Sequence, residues 1–442
     1  MPSTPGTART ARAAHRSRTV PRSRTTRGTR PTRRPQAALV TVLATTATLL
    51  AAPLAAADDA SDQCTFSRTN HKYAGTPWAL QRVNLDELWS QSKGKGVKVA
   101  VIDTGVDTSN PQLTQAVDGS LGVNLLPAKD DKGQPVDGAK SKATTDTVGH
   151  GTRVAGIIAA RRMDGTGFVG LAPEAKIIPI KQNDAEGHGT ALTLAKAIRY
   201  AIKAKAQVIN ISQDTANAVA PAQDLHDAIN EALANKIVVV ASAGNDGLGG
   251  NVKLTYPASY DGVLAVAASD RNNERAAFSQ SGDFVGVAAP GVDMISTVPK
   301  GGHCSDNGTS FSAPYVAGVA ALIKAKHPDW TAREVVAQIE QTAERSIAGH
   351  DRLVGWGVVD PVRALTEDDH PIEAPHPDTG LTHVEAPAPA RLTLGETPQE
   401  RTARIATYVA VGVAVLVAGL SGGAVALRDA RRRRRNLSGG HA

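Results

Sequence analysis

Three residues suited to nucleophilic catalysis occur in short, glycine-flanked segments: Asp103 in Val-Ile-Asp103-Thr-Gly, His150 in Gly-His150-Gly-Thr-Arg, and Ser310 in Gly-Thr-Ser310-Phe-Ser-Ala-Pro. A serine hydroxyl is a weak nucleophile at neutral pH. It becomes a strong one when an imidazole accepts its proton and a carboxylate fixes the tautomer and orientation of that imidazole. Attack on a carbonyl creates a negatively charged oxygen, so the set also needs a hydrogen-bond donor. Asn245, in Ala-Gly-Asn245-Asp-Gly, offers a side-chain amide, and Ser310 offers its own backbone N–H. Each segment alone is commonplace, since Asp-Thr-Gly ends many strands and Gly-Asn-Asp-Gly is an ordinary turn. All four, in the order Asp, His, Ser, point to acyl transfer at a carbonyl carbon.

The elements that must position these residues follow from the apolar pattern. Runs at 97–102, 176–180, 208–211, 237–241 and 263–267 are nearly continuously apolar, as expected of parallel strands covered on both faces. Helical spacing falls between them at 153–160, 192–203 and 224–234, and again at 311–326. A capping box, Thr331-Ala-Arg-Glu334, opens one more helix reaching to about residue 343. The expected fold class is α/β, with a mainly parallel sheet and helices on both faces. Asp103 then ends a buried strand, His150 begins a helix, and Ser310 sits at the mouth of a buried helix whose dipole favours negative charge.

Charge separates the ends from the middle. Residues 1–57 carry ten arginines and no acid, and residues 428–442 carry six arginines and one aspartate, so the ends total +15 and the stretch 58–427 is about −8 of the net +7. The basic balance thus belongs to the termini, and the folded region has no charge suited to nucleic acid. The apolar run 37–57 follows the basic leader and ends in small residues, which reads as a signal peptide over 1–57; a retained membrane anchor is the other reading. Near the other end, 405–427 gives 23 uncharged residues, roughly 34 Å as a helix, which spans a bilayer. The arginines that follow place the C-terminus in the cytoplasm and the rest of the mature chain outside. Between them, 366–404 holds six prolines and no hydrophobic period, which predicts an extended tether. Cys64 and Cys304 are the two cysteines of the chain; in an exported protein they form one disulfide or remain two thiols.

On its four motifs, the stretch 97–365 resembles the subtilisin-like serine proteases. That resemblance implies a three-layer α/β/α sandwich and endopeptidase activity on a peptide or protein substrate, with no cofactor. It further implies that Gly187, His188 and Gly189 form an edge that pairs with bound peptide, and that Ser212 begins the opposite edge. The P1 side chain would lie between Ser212 and the pair Ala243 and Gly244. Two departures stand out: Gln213-Asp214 follows Ser212 where the family has Leu-Gly, and Arg153 stands where many relatives carry a second histidine. The domain order is then 1–57 signal peptide, 58–93 extension, 94–365 protease, 366–404 linker, 405–427 membrane helix and 428–442 basic tail.

This layout, together with Tyr73-Ala-Gly-Thr-Pro-Trp78 ahead of the protease, is similar to that of the mycosins, membrane-anchored subtilisin-like proteases of type VII secretion systems. The resemblance implies a single-pass protein at the cell membrane with its catalytic domain outside, and secretion components as partners. Only 45 residues separate residue 57 from Asp103, too few for a separately folded inhibitory prodomain, so 58–93 is expected to wrap the protease and to be stapled by Cys64 and Cys304. No dense carboxylate loop is present, and no metal requirement is expected. A second Asp-Thr-Gly at Asp378 raises the idea of an aspartic-protease dyad, but no apolar strand precedes it. A role chiefly as a scaffold of a secretion channel, with proteolysis secondary, is the alternative function.

Overall fold

The computed structural model describes residues 71–129, 132–184, 189–212, 222–248, 254–378 and 396–437. The leader at 1–57 and Cys64 lie outside these residues. Two short helices, α1 (Trp78–Gln81) and α2 (Leu85–Gln91), precede β1 (Lys98–Asp103) and β2 (Val123–Asn124). Next come α3 (His150–Ala159), β3 (Lys176–Lys181), α4 (Ala191–Lys203), β4 (Val208–Ile211) and α5 (Gln223–Ala234). Three more strands follow, β5 (Val238–Ser242), β6 (Leu264–Ser269) and β7 (Val285–Pro290), and then the hairpin β8 (Met294–Thr297) and β9 (His303–Asp306). The chain closes with α6 (Thr309–Lys326), α7 (Ala332–Gln341), α8 (Pro361–Thr366) and α9 (Pro398–Leu437).

Seven strands form one sheet in the order β2-β3-β1-β4-β5-β6-β7, and every adjacent pair is parallel. The strand period of two sorts β1 between two cores. Val99 and Val101 join the cluster under α3, α6 and α7, while Ala100 and Ile102 join the one under α4 and α5. Those two clusters make the three layers. Helix α6 is apolar around its whole circumference because it runs through the larger cluster, where Val316, Val319, Ala320 and Ile323 are inaccessible to solvent. The strands expected from the pattern are present within a residue or two. β2, β7 and the β8–β9 hairpin lie outside those apolar runs: β2 is two residues long, and the hairpin Met294–Thr297 with His303–Asp306 mixes polar residues into its pattern.

Ahead of β1, the segment 71–93 is packed against the domain. Trp78, Leu80, Val83 and Leu88 enter the larger core, and the indoles of Trp78 and Trp89 donate to Val292 O and Leu171 O, each at 2.9 Å. His303 on β9 fastens the first described turn. Its Nδ1 accepts from the Tyr73 backbone N–H at 3.1 Å, so Nε2 carries the proton and donates to Gln112 Oε1 at 2.7 Å. Burial, helped by nearby His71 and Lys72, lowers its pKa to about 4 and keeps this imidazole neutral.

Packing also runs further at the C-terminal side than the hydrophobic pattern predicts. Asp368 is buried and binds Lys326 Nζ at 2.8 Å and His327 Nε2 at 2.6 Å. Arg345 donates to His376 O at 2.8 Å and pairs with Asp378 at 3.3 Å, while its guanidinium lies 4.9 Å over the Trp356 ring. These holds are polar and have no period to read in a sequence. Helix α9 is long and apolar enough to cross a membrane, with a mean hydropathy of 2.2 over its best window and no part of that window buried.

Candidate active site

Parallel strands place their carboxyl ends along one edge, where ligands of open α/β sheets bind. Asp103 is the last residue of β1, Ser212 follows β4, and Ala243 and Gly244 follow β5, all buried along that edge. Asp103 is fully enclosed, and its Oδ1 accepts both the Thr104 backbone N–H at 2.8 Å and His150 Nδ1 at 2.8 Å. Since the carboxylate can only accept, Nδ1 carries the proton and Nε2 is left as the free base. Burial opposes a charged imidazole here, but the Asp103 charge and hydrogen bond outweigh it and hold the His150 pKa above the ordinary histidine value.

His150 opens α3 because the preceding Gly149 adopts φ 86°, a left-handed turn that glycine enters freely. Gly151 is needed for closeness: a Cβ there would lie 2.1 Å from Gly105 O and 3.1 Å from the Asp103 side chain. Any larger residue would push the helix start off the strand end, and with it the imidazole.

A buried carboxylate that the motif reading overlooked organises this corner. Asp146 Oδ1 accepts from Gly149 N at 2.7 Å, Val148 N at 3.2 Å and Thr104 Oγ1 at 3.0 Å, and Oδ2 accepts from Thr152 N at 2.9 Å and Thr152 Oγ1 at 2.7 Å. Thr104 in turn accepts the Gly151 N–H at 3.0 Å. The helix start and the strand end are thereby tied through one side chain. Burial raises the pKa of Asp146, against the hydrogen bonds that favour its charge. The available signal was an aspartate four residues ahead of His150, a spacing that only the helix N-terminus makes meaningful. Asp146→Asn has one acceptor oxygen for two sets of donors, and we expect it to lose about 1–3 kcal/mol of stability. Urea unfolding of the two proteins checks this; equal midpoints and slopes would show that the network is dispensable.

Ser310 is the second residue of α6 and is half-buried. The next ring, Phe311, lies 5.5 Å from the His150 ring, which brings the start of α6 to the start of α3. Among the described residues the Ser310 hydroxyl makes no hydrogen bond, to His150 or otherwise. Catalytic hydrogen bonds are often long in free enzymes and tighten on substrate.

Asn245 follows β5 and is joined to the same helix. Its Oδ1 accepts from Thr309 N and from Thr309 Oγ1, both at 3.0 Å, and Thr309 Oγ1 accepts from Gly244 N at 3.3 Å. A backbone N–H can only donate, so the amide is oriented with its Nδ2 turned away from Thr309. Thr309 is therefore the residue that aims Asn245, a role with no trace in the motif itself.

The proposed substrate residues are partly visible. Gly189 donates its N–H to Asn183 Oδ1 at 3.0 Å just ahead of α4, and Ser212 Oγ accepts from Asn210 at 2.8 Å. Gly187, His188, Gln213 and Asp214 lie outside the described residues. Beneath Ala243 and Gly244, Thr255 Oγ1 donates to Ala243 O at 2.7 Å and Gln280 N donates to Gly244 O at 2.9 Å, so that loop is held from below. Cys304 lies on β9 and is disulfide-bonded, and no cysteine among the described residues is free.

The pattern of the Subtilase family matches residues 94–357. Subtilisin Savinase of Lederbergia lenta is 37% identical over 284 residues, covering 64% of this chain and 96% of that protein. Among solved structures, MycP1 with its N-terminal propeptide removed is 32% identical with a TM-score of 0.59, over 68% of this chain and 99% of that one. The MycP3 protease from the type VII (ESX-3) secretion system is likewise 32% identical at a TM-score of 0.59, over 68% and 92%. With the family pattern spanning more than half of its length, the chain belongs to the subtilase family as a subtilisin-type serine endopeptidase.

Proposed function

We propose that the chain is a membrane-anchored, extracytoplasmic endopeptidase that cleaves peptide bonds with Asp103, His150 and Ser310, and that it processes substrates of, or supports, a type VII secretion system. The observation that carries the chemistry is the 2.8 Å bond between His150 Nδ1 and Asp103 Oδ1, which leaves Nε2 unprotonated. Ser310 Oγ attacks the carbonyl carbon while His150 Nε2 takes its proton. The oxyanion is met by the Asn245 Nδ2–H and the Ser310 backbone N–H at the start of α6. Collapse returns the proton to the leaving amine and leaves an acyl-enzyme on Ser310. Water, deprotonated by His150, then releases the product acid and the free hydroxyl.

Because Asn245 acts only once the oxygen is charged, its loss falls on kcat and not on binding. Asn245→Ala should lower kcat by about 10²- to 10³-fold with KM little changed, the scale of such a donor in subtilisin. Steady-state kinetics on an internally quenched peptide would check it; a change confined to KM would remove Asn245 from this role.

Anchoring and setting rest on other support. α9 ends in Arg428 and the run 431–435, whose positive charge favours a cytoplasmic end. One structural neighbour is by its own description a protease of a type VII secretion system. The extension stays attached after export, its described part 71–93 held by the Trp78 indole and by His303; a disulfide between Cys64 and Cys304 would add to that hold. Labelling of the full-length protein with a fluorophosphonate, read by mass spectrometry, tests the chemistry. Adduct on Ser310, abolished in Ser310→Ala and indifferent to pepstatin, is the expected result; adduct elsewhere overturns it.

A further inference from the structure

We propose that Arg153 is a positioning residue of the catalytic centre, one that holds the helix carrying His150 against the strand leading into Ser310 and sets the charge around the imidazole. The proposal rests on the triad reading above. Arg153 lies one turn after His150 on α3, and only 10% of its side chain is exposed. Its guanidinium pairs with Asp306 of β9 at 3.3 Å and lies 5.5 Å from the centre of the Phe311 ring. His150 also lies 5.5 Å from that ring. Phe311, adjacent to Ser310, is therefore within reach of both the imidazole and the guanidinium, and Asp306 stands four residues ahead of the serine.

The backbone of the same turn is held by the same hairpin. Ser296 Oγ donates to Arg153 O at 2.6 Å, and Thr297 Oγ1 donates to Thr152 O at 2.9 Å. α3 and the hairpin are packed closely enough that a Cβ at Gly156 would fall 2.1 Å from Thr297 Oγ1. The hairpin fixes the helix backbone, and Arg153 adds the side-chain contact that reaches the strand entering α6. Arginine suits the place because a planar guanidinium stacks on a ring and pairs with a carboxylate at once, which lysine cannot do.

Three charged groups act on His150, Asp103 from β1, Asp146 from the loop before α3 and Arg153 from its own helix, and Asp306 of β9 pairs with Arg153. The two aspartates nearest the ring favour imidazolium, and Arg153 opposes it. With Asp306 in place that opposition is partly neutralised. Removing either partner of the pair should therefore move the histidine in opposite directions, a signature that lost packing alone does not produce.

The test uses the full-length, detergent-solubilised protein and reads kcat and KM on an internally quenched peptide, with the pH dependence of fluorophosphonate inactivation. Arg153→Met should lose about 10- to 10²-fold in kcat, the cost of a sub-ångström to 1 Å misplacement of reacting groups, with KM within about twofold. Its acid limb should move to higher pH. Asp306→Asn, at a partly exposed position, should move the limb to lower pH. Arg153→Lys, which keeps the charge, should keep the wild-type limb while losing part of kcat. Limbs that stay in place, or that move in the same direction in Arg153→Met and Asp306→Asn, overturn the proposal, as does a fall in melting temperature with unchanged kcat. Failure of the wild-type protein to label would instead overturn the triad reading.

Discussion

Ser310→Ala is expected to lower kcat by about 10⁶-fold, the scale of the same replacement in subtilisin, while leaving the fold intact. The position is half-buried at the second residue of α6, and alanine is a better helix former than serine, so nothing in the packing suffers. What is lost is the hydroxyl assigned to attack the carbonyl. Because the residues act as one unit, His150→Ala should cost about as much, and the double replacement little more than either alone. A residual rate above water should persist, since Asn245 and the backbone N–H of residue 310 still stabilise the oxyanion. Single-turnover kinetics with the three variants check this. Additive losses, or a Ser310→Ala enzyme that keeps more than a thousandth of the activity, would mean that another group attacks the carbonyl.

Asp103→Asn should lower kcat by about 10⁴-fold, as the equivalent change does in a serine protease of another fold. Here the reason can be read from two hydrogen bonds. Oδ1 accepts from Thr104 N and from His150 Nδ1, and the side chain has no exposure to water. An asparagine oriented with nitrogen toward the ring would move the ring proton onto Nε2, where it blocks acceptance of the serine proton. The opposite orientation keeps the tautomer but buries an unpaired NH₂ and removes the charge that steadies imidazolium. In either case the largest group raising the His150 pKa disappears, so the surviving activity should show its acid limb at lower pH than the wild type. A kcat within tenfold of wild type, or an unmoved limb, would sink the assignment of Asp103 as the orienting carboxylate.

Both expectations follow from residues that could be found without coordinates, and the reason is physical. A strand buried on both faces must be apolar along its length, so 97–102 declares itself, and a helix start beside a strand end needs glycines that leave a local mark at Gly149 and Gly151. The groups that steady the site leave no such mark. Asp146 is one acid among many until α3 turns its N–H groups toward it, and Thr309 orients Asn245 across 64 residues of chain. Arg153 reads in the sequence only as a departure from the family pattern, and it meets Asp306 and Phe311 only once the hairpin has folded onto α3.

The same division holds at the edges of the domain. Prolines without a hydrophobic period announced an extended tether from 366, whereas Asp368 and the contacts of Arg345 with His376 and Asp378 hold the chain to the domain as far as 378. Local pattern therefore determined five of the sheet strands, the main helices and their α/β order, and it nominated the reacting groups, because burial and backbone geometry restrict residue types over short spans. Tertiary structure alone decided which polar side chains brace them. A hydrogen bond or ion pair requires only that two groups meet, and where they meet is set by the whole fold.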